Sequence, residues 1–394
     1  MITDSTGREV LGGGDGFPVD VRSLARELRR LWEGAEAEAT AGGKTIARAC
    51  SRNLVAVARD ADEAKALTAA VAEASDRHPV RAFVVEAAAD DSERIEAWLT
   101  AHCRMRGEGR HVCCEQIRLV VGGDAGRRAA GAVIPLLVPD LPVFLWCAGT
   151  PPWENEFFRR LLDVSDRLIV DSRTFPDPAA GLEDLVERRG EEWSPADLNW
   201  YRHESWREAV AVCFDDPRLA RRAGEVDRIG VGYGTASAAA PGAGATSAGA
   251  AHGAIPAAAA LLAGWALDRV ELAREAGPTG LAARVEAGDA AGEATPPEVV
   301  LERMTDAPSG EIARTHLSVS SESISFRIEC PGEGEVLTLD ANTPHAGSHR
   351  HRLPRVRLPL ERLLARALDD ASPDVVYERA LLRAASILSG TSPD

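Results

Sequence analysis

The apolar run from Val133 to Trp153 limits the possible folds more than any other segment, because it has the pattern of a buried central strand. Within it, residues 142–147 form a short stretch rich in β-branched and aromatic side chains and bounded by turn-forming residues. Gly149, Pro151 and Pro152 end this strand on its carboxyl side. Open α/β sheets place their binding surfaces at that end of their strands. We therefore expect the segment after residue 147 to lie at a functional edge of an α/β sheet.

The side chains at this edge are better suited to partner contact than to catalysis. The segment contains no nucleophile, acid–base pair or phosphate loop, and we expect its tryptophan-proline rim to be exposed. Large aromatic side chains are enriched at protein-binding hot spots. A later cluster of Trp193, Trp200 and Trp206 has two interpretations, core packing or a protein-binding face. The residues predicted to contact a partner are Trp146, Trp153, Phe157 and Trp200.

Strand and helix patterns alternate along the first half of the chain. Strands are predicted at 53–58, 80–86, 111–121, 142–147 and 167–171, with helices between them that include one over 92–103 capped by Ser92. This alternation predicts an α/β domain over 20–195, with a mostly parallel sheet and flanking helices, after a flexible lead over 1–19.

The second half predicts a smaller α+β domain over 196–394. Helical patterns come first, then alternating segments at 299–304, 312–319, 323–328 and 336–339 that indicate an antiparallel meander, then two closing helices. Residues 235–253 consist almost only of Ala, Gly, Ser and Pro, which predicts a flexible loop.

Composition excludes several classes of partner. The net charge of −16 argues against binding to DNA, RNA or anionic membranes, which need a basic surface. No run reaches the ~18 apolar residues of a membrane span and the amino terminus lacks a signal-peptide pattern, so we expect a cytoplasmic protein. The seven cysteines include no CxxC pair and are expected to be free thiols.

Two glycine-rich segments are candidates for anion binding. Gly122, Gly123, Gly126 and Arg127 lie between a strand and a helix start, which favours either an anion-binding loop or a simple tight turn. The segment 230–234 resembles a dinucleotide loop only superficially, because its third glycine is misplaced and no helix follows. We expect no bound cofactor.

Other polar segments have weak chemical signals. His345, His349 and His351 could contribute to a metal site, but a basic edge strand explains them better because no local carboxylate or cysteine completes a ligand set. Ser172 follows a strand end without a nucleophile-elbow motif, so a turn is favoured over a hydrolase site.

Taken together, a series of short segments resembles the OpcA family of glucose-6-phosphate dehydrogenase assembly proteins. The segments occur in the family's order from about Asn53 to Leu382, and this order is more specific than any single segment. The matching residues are Asn53-Leu54-Val55, His78-Pro79-Val80-Arg81, Cys113-Cys114-Glu115-Gln116, Pro135-Leu136-Leu137, Asp140-Leu141-Pro142-Val143, Trp146, Gly149, Pro151-Pro152, Asp166-Arg167, Asp171-Ser172, Asp197-Leu198-Asn199-Trp200, Trp206-Arg207 and Ser372-Pro373-Asp374-Val375-Val376-Tyr377.

The resemblance implies a non-catalytic protein that binds glucose-6-phosphate dehydrogenase and promotes its active oligomer in the oxidative pentose phosphate pathway. Cyanobacterial relatives also suggest thiol control, for which Cys113 is the first residue to test. Two alternatives from other classes remain: a lactonase-like hydrolase of sugar-phosphate metabolism, and a sensor that binds an anionic metabolite at the 122–128 loop.

Overall fold

Two structural units make up the chain, and each is assembled from separate stretches of sequence. The computed structural model describes all residues except 1, 4–8, 12–16, 42–44, 88–92, 106–109, 124, 191, 235–253, 277–294, 331–333 and 391–394. The first unit contains residues 1–171, 190–198 and 359–373, and the second contains 172–189, 199–358 and 374–394. The bounds predicted from the sequence, 20–195 and 196–394, are contiguous and so do not anticipate the exchange of 172–189 and 359–373. The predicted flexible loop at 235–253 lies outside the described residues.

A large sheet, parallel over most of its width, forms the first unit. Among the described residues its strands are β1 (Ile2–Thr3), β2 (Glu9–Leu11), β3 (Phe17–Val19), β4 (Thr45–Arg48), β5 (Arg52–Ala58), β6 (Val80–Ala87), β7 (Ile95–Met105), β8 (Arg110–Val121), β9 (Val143–Cys147), β10 (Arg167–Val170) and β11 (Ser194–Asp197). The main order is β1-β2-β7-β8-β6-β5-β9-β10-β11, with β3 paired to β7 and β4 paired to β8. The strands from β8 to β11 in this order are parallel, as the alternating pattern predicts. The segment predicted as a flexible lead contains β1, β2 and β3.

The helices of the first unit pack on this sheet or on one another. They are α1 (Leu24–Ala41), α2 (Ala61–Ala74), α3 (Ala125–Val133), α4 (Glu156–Leu162) and α10 (Leu360–Ala367). Helix α2 begins where the Asp60 carboxylate accepts a hydrogen bond from the Glu63 amide at 2.8 Å, and it buries Leu67 and Val71. It packs against β5, β6 and α10. The predicted α/β architecture is therefore confirmed.

One predicted helix is wrong, because the segment predicted as a helix over 92–103 is strand β7 in its described part. Ala97, Leu99, Ala101 and Cys103 are all buried at every second position, the spacing of one face of a strand. The β7 strand pairs antiparallel with β8, which places Cys103 opposite Cys113. These two residues form a disulfide, so the expectation that all seven cysteines are free thiols is wrong for this pair.

The second unit combines a six-stranded, mostly antiparallel sheet with helices, as predicted for the α+β part. Its strands are β12 (Arg228–Gly234), β13 (Glu298–Met304), β14 (Ile312–Val319), β15 (Ile324–Glu329), β16 (Val336–Thr343) and β17 (Gly347–Pro354), in the order β13-β12-β14-β15-β16-β17. Its helices are α5 (Pro178–Arg188), α6 (Leu198–Arg202, whose first residue belongs to the first unit), α7 (Glu204–Val212), α8 (Pro217–Ala220), α9 (Ala257–Ala276) and α11 (Val375–Ser389).

Helix α9 is the core of the second unit. Residues 257–267 are all buried, which explains why this helix is apolar on every side. Helix α11 packs so closely on it that a Cβ atom at Gly264 would lie 2.6 Å from the Ala380 carbonyl oxygen. Gly264 therefore allows the two helix backbones to approach each other.

Candidate functional site

The carboxyl edge of β9 is formed by three parallel strands in the first unit. Trp146 lies opposite Ala56 of β5 and Ile169 of β10, and all five residues of β9 are buried. After the strand, the Trp153 amide donates to the Pro151 carbonyl oxygen and the Asn155 amide donates to that of Pro152. The chain therefore turns tightly into α4.

Aromatic packing fixes the rim that follows this turn. The Trp153 ring stands edge-on to Phe158, with ring centroids 5.8 Å apart, and stacks on Trp193 at 6.3 Å. Phe158 is fully buried in α4, whose cap is formed by the Asn155 side chain accepting from the Phe158 amide at 3.2 Å. The rim is therefore an aromatic cluster within the first unit.

The predicted exposure of this rim is wrong. Trp146, Trp153 and Phe157 are 1%, 8% and 7% exposed. Strand β9 is an interior strand of the sheet, and Trp153 packs against Phe158 and Trp193. The sequence could not distinguish these cases, since buried and interfacial aromatic residues have the same composition. A direct contact between these side chains and a partner remains a prediction.

The fourth predicted contact residue, Trp200, lies in the second unit and is also buried. Its ring packs 5.6 Å from Tyr377 of α11, and the Arg207 guanidinium lies 3.4 Å from its centroid. Arg207 also donates to the Trp200 carbonyl oxygen at 2.7 Å, and burial lowers the pKa of Arg207 to about 10. Trp193 and Trp206 are buried as well, which favours core packing for the tryptophan cluster, while a partner contact at Trp200 stays a prediction.

Several residues of the motifs that resemble the OpcA family hold backbone segments in place. The Asn53 side chain donates to the Val138 carbonyl oxygen at 3.0 Å and accepts from its amide at 2.7 Å, so it ties β5 to the loop before β9. The Asp166 carboxylate accepts from the Val143 amide at 2.7 Å, which fixes the start of β9. The buried Arg167 donates to the carbonyl oxygens of Asp370 and Ser372.

A buried carboxylate in the Cys-Cys-Glu-Gln motif holds a second group of side chains together in the first unit. Glu115 accepts from the Trp32 indole nitrogen at 2.8 Å, from Arg48 at 2.7 Å and from Arg81. The members of this cluster are far apart in the sequence and form no local motif. The signal that could have found it is a charged residue at a buried position of β8, which requires partners of opposite charge.

The neighbouring cysteines differ in chemical state. Cys113, the predicted redox thiol, is bonded to Cys103. Cys114 points to the opposite face of β8, and burial raises its pKa to about 12. Burial also raises the pKa values of Cys147 and Cys213 to about 12. Cys114, Cys147 and Cys213 therefore remain protonated at neutral pH and do not form the reactive thiolate.

The predicted anion loop lies between β8 and α3. Gly122 and Gly123 follow the strand, and Gly123 has a φ of 54°, the left-handed conformation of a tight turn. Gly126 lies in the first turn of α3, while the side chain of Arg127 is outside the described residues. Anion binding at this loop remains a prediction.

Polar groups of the second unit are engaged in structural contacts. Ser172 accepts a hydrogen bond from the Asn199 amide group at 3.0 Å, and the His203 ring donates from Nδ1 to the Asn199 carbonyl oxygen at 2.9 Å. Burial lowers the pKa of His203 to about 4, so its ring is neutral at pH 7.

The segments considered for nucleotide and metal binding lie in strands of the second unit. The glycine-rich segment 230–234 lies in β12, between β13 and β14, and is not a nucleotide loop. His349 and His351 belong to the exposed edge strand β17, as predicted. Within the described ranges, no three or more His, Cys, Asp or Glu side chains are grouped so as to hold a metal ion. None of the helices described here has the length and apolar character needed to cross a membrane.

Few large apolar side chains are exposed in the described part of the chain. Val375 and Val376, in the first turn of α11, are 63% and 39% exposed. They belong to the Ser372–Tyr377 segment noted for its family resemblance. The Asp374 carboxylate caps this helix by accepting from the Tyr377 amide at 3.0 Å, which fixes the position of both valines.

Two family models match consecutive parts of the chain. Residues 71–187 match a glucose-6-phosphate dehydrogenase subunit N-terminal domain, and residues 194–381 match the corresponding C-terminal domain. Both models carry the designation OpcA.

Curated relatives point in the same direction. A protein of Synechocystis sp., named provisionally as OxPP cycle protein OpcA, is 34% identical over 158 residues, or 40% of this chain and 33% of the relative. A protein of Nostoc punctiforme with the same provisional name is 33% identical over 159 residues, or 40% of this chain and 34% of the relative. The matched region thus spans about a third of each relative.

Solved structures match more distantly. An NAD binding oxidoreductase from Klebsiella pneumoniae has 10% identity and a TM-score of 0.43, over 87% of this chain and 96% of that one. A likeness of this size assigns no activity.

Proposed function

Because the chain belongs to the glucose-6-phosphate dehydrogenase subunit family, OpcA, we propose that it promotes assembly of the active glucose-6-phosphate dehydrogenase oligomer in the oxidative pentose phosphate pathway. The observation that carries this proposal is the ordered match of both domain models, which together span most of residues 71–381. The provisional OpcA names of the cyanobacterial relatives support it.

The proposed role is non-catalytic. Three groups that could act in a reaction, Ser172, His203 and Glu115, are buried and take part in hydrogen bonds within their own units. Asn53, Asp166 and Arg167 tie backbone segments together. These contacts stabilise the fold, which supports a protein that acts by binding a partner.

Activation requires only a modest difference in affinity. A binding protein shifts an equilibrium between assembled and dissociated dehydrogenase by the ratio of its affinities for the two states. A shift of about tenfold corresponds to about 1.4 kcal/mol. We propose that Val375 and Val376 contribute to this contact, because they are exposed apolar side chains held in place by a capped helix end.

The test is to mix the purified chain with glucose-6-phosphate dehydrogenase and to measure sedimentation and initial rate. We expect a larger sedimenting species and a higher rate in the mixture. If neither changes at saturating chain concentration, the proposal is wrong. Turnover of 6-phosphogluconolactone by the chain alone would contradict the non-catalytic role and favour a hydrolase.

A pair of variants tests the proposed contact. Val375→Asp should weaken activation at least about tenfold, because it places a charge in the contact, while leaving thermal stability nearly unchanged. Val164→Asp is the matched control, since Val164 is 38% exposed and lies in the first unit after α4. If the two substitutions had equal effects on activation, Val375 would not be part of the interface.

A further inference from the structure

A pocket of about 460 Å³ opens on the sheet of the second unit. This volume lies within the range of ~300–1,000 Å³ typical of small-molecule sites. Four adjacent strands, β14 to β17, contribute its lining, which includes His316, Ser325, Arg327, Asn342, Ser348 and Arg350. Neither the family models nor the predicted contacts assign a role to this pocket.

Strand register arranges the lining in two parallel rows. His316 lies opposite Arg327, Arg327 opposite Asp340, and Asp340 opposite Arg350, so that charged side chains form one row across four strands. Two residues along, Ser325 lies opposite Asn342 and Asn342 opposite Ser348, which forms a row of neutral hydrogen-bonding groups. Residues two apart on a strand share a face, so both rows point to the same side of the sheet.

The charged row has an excess of positive charge. Asp340 accepts from Nε of Arg350 at 2.6 Å and from its Nη2 at 3.0 Å, so these two charges compensate each other. Arg327 is exposed and lies opposite the same carboxylate, and its charge adds to that of Arg350 in lowering the pKa of Asp340. The row therefore carries two arginines against one carboxylate, an excess of positive charge in a chain whose net charge is −16.

We propose that this pocket binds a small phosphorylated sugar, with the phosphoryl group held by Arg327 beside His316 and the sugar hydroxyl groups held by Ser325, Asn342 and Ser348. Arginine presents several donors in a plane and suits phosphate oxygens. The serine hydroxyls and the asparagine amide both donate and accept, which matches the hydroxyl groups of a sugar. The pairing with Asp340 holds the Arg350 side chain at the end of the charged row.

The electrostatic surroundings of His316 support an anionic ligand. Burial lowers the pKa of His316, and the nearby charges of Arg327, Arg228 and Arg314 lower it further, while Glu302 opposes them. A bound anion would offset these positive charges and raise the pKa again. Anion affinity should therefore increase as the pH falls through and below about 6.5, the ordinary pKa of histidine, because the pKa of His316 in the free chain lies below that value.

The experiment is isothermal titration of the full chain, without dehydrogenase, with glucose 6-phosphate, inorganic phosphate, glucose and a phosphoserine peptide. We expect saturable binding of glucose 6-phosphate that is tighter than that of phosphate, and no binding of glucose. Equal affinity for phosphate and glucose 6-phosphate would overturn the sugar assignment. Tighter binding of the phosphopeptide would overturn the small-molecule assignment, and no binding of any probe would overturn the site.

Matched variants locate the binding. Arg327→Gln should weaken glucose 6-phosphate binding at least about tenfold, the effect of losing charged hydrogen bonds, and Arg327→Lys should weaken it less. Arg362→Gln makes the same charge change on an exposed residue of α10, in the first unit, and should leave affinity unchanged. If Arg362→Gln weakens binding as much as Arg327→Gln, the pocket is not the site.

The pH arm uses sulfate, which remains a dianion over this range. Its affinity should rise at lower pH in the natural chain, and this rise should be smaller in His316→Gln. An unchanged pH dependence in His316→Gln would contradict the place of His316 beside the anion. Because every arm uses the chain alone, the outcome does not depend on its effect on the dehydrogenase.

Discussion

Replacing Trp153 by alanine separates a core residue from an interface residue. Trp153 is 8% exposed and packs against Phe158 and Trp193 in the first unit. Replacing a buried large aromatic residue by alanine costs about 3–5 kcal/mol, because packing is lost and a cavity is left. We expect about this loss in the stability of the first unit.

Differential scanning calorimetry is the suitable assay, because a chain with two units need not unfold in one two-state transition. For a unit of this size, 1 kcal/mol corresponds to a shift of about 2–4 °C in the unfolding midpoint. Trp153→Ala should therefore lower one transition by about 10 °C. Val164→Ala, at a 38% exposed position in the same unit, should move that transition by less than about 2 °C.

The decisive result is the comparison of stability with dehydrogenase activation. If Trp153→Ala keeps its unfolding midpoint within about 2 °C of the natural chain and yet abolishes activation, the burial argument is wrong and Trp153 is a contact residue. If activation is lost only at temperatures where the variant unfolds, Trp153 supports the surface without touching the partner. Trp153→Phe, which keeps an aromatic ring, should lose less stability than Trp153→Ala.

Two further predictions concern buried charge and acid stability. Glu115→Gln should lower the free energy of unfolding of the first unit by about 3–5 kcal/mol, because Arg81 loses its buried charged partner. Calorimetry should show this as a lower unfolding midpoint, and an unchanged midpoint would contradict it. The pKa of His203 is about 4 in the folded chain, below the ~6.5 of an unfolded chain, so the unfolded state takes up a proton first as the pH falls. Stability should therefore be complete above about pH 6.5 and decrease towards about pH 4, and His203→Gln should reduce this decrease in thermal unfolding measured against pH.

The parallel scaffold of the first unit could be predicted because its strands are short apolar runs separated by helical patterns. Strands β5, β6, β9 and β10 all have this form and are all correctly located. The error at β7 has a physical cause. Its inward positions are Ala97, Leu99, Ala101 and Cys103, of which two are alanines, so its period-two pattern was weak beside a plausible serine cap.

The same error concealed the disulfide. Cys103 and Cys113 are ten residues apart and become neighbours only when β7 and β8 pair as antiparallel strands. In the predicted helix over 92–103, Cys103 would not lie opposite Cys113, because only strand pairing brings these residues together. Long-range pairing of this kind depends on strand register, which local sequence patterns do not specify.

For the candidate site, the sequence could not predict which side chains are buried. The sequence correctly placed Trp146 in an interior strand and Trp153 after it, but the burial of Trp153 depends on its packing against Phe158 and Trp193. For Val375 and Val376 the sequence suggested burial, whereas the structure exposes them. Val375 and Val376 lie in a helix pattern and look like core residues until the cap at Asp374 fixes which face they occupy.

The contrast between buried and exposed residues distinguishes two ways in which a substitution could abolish activation of the dehydrogenase. Asn53, Glu115 and Arg167 belong to segments that resemble the family, and each is buried with hydrogen bonds inside the first unit. Substitutions there act through folding, so their effects on activation should follow their effects on stability. A substitution at Val375 acts on an exposed surface, so it should change affinity at constant stability. Partner recognition is therefore to be sought at exposed positions around the buried residues that carry the family resemblance.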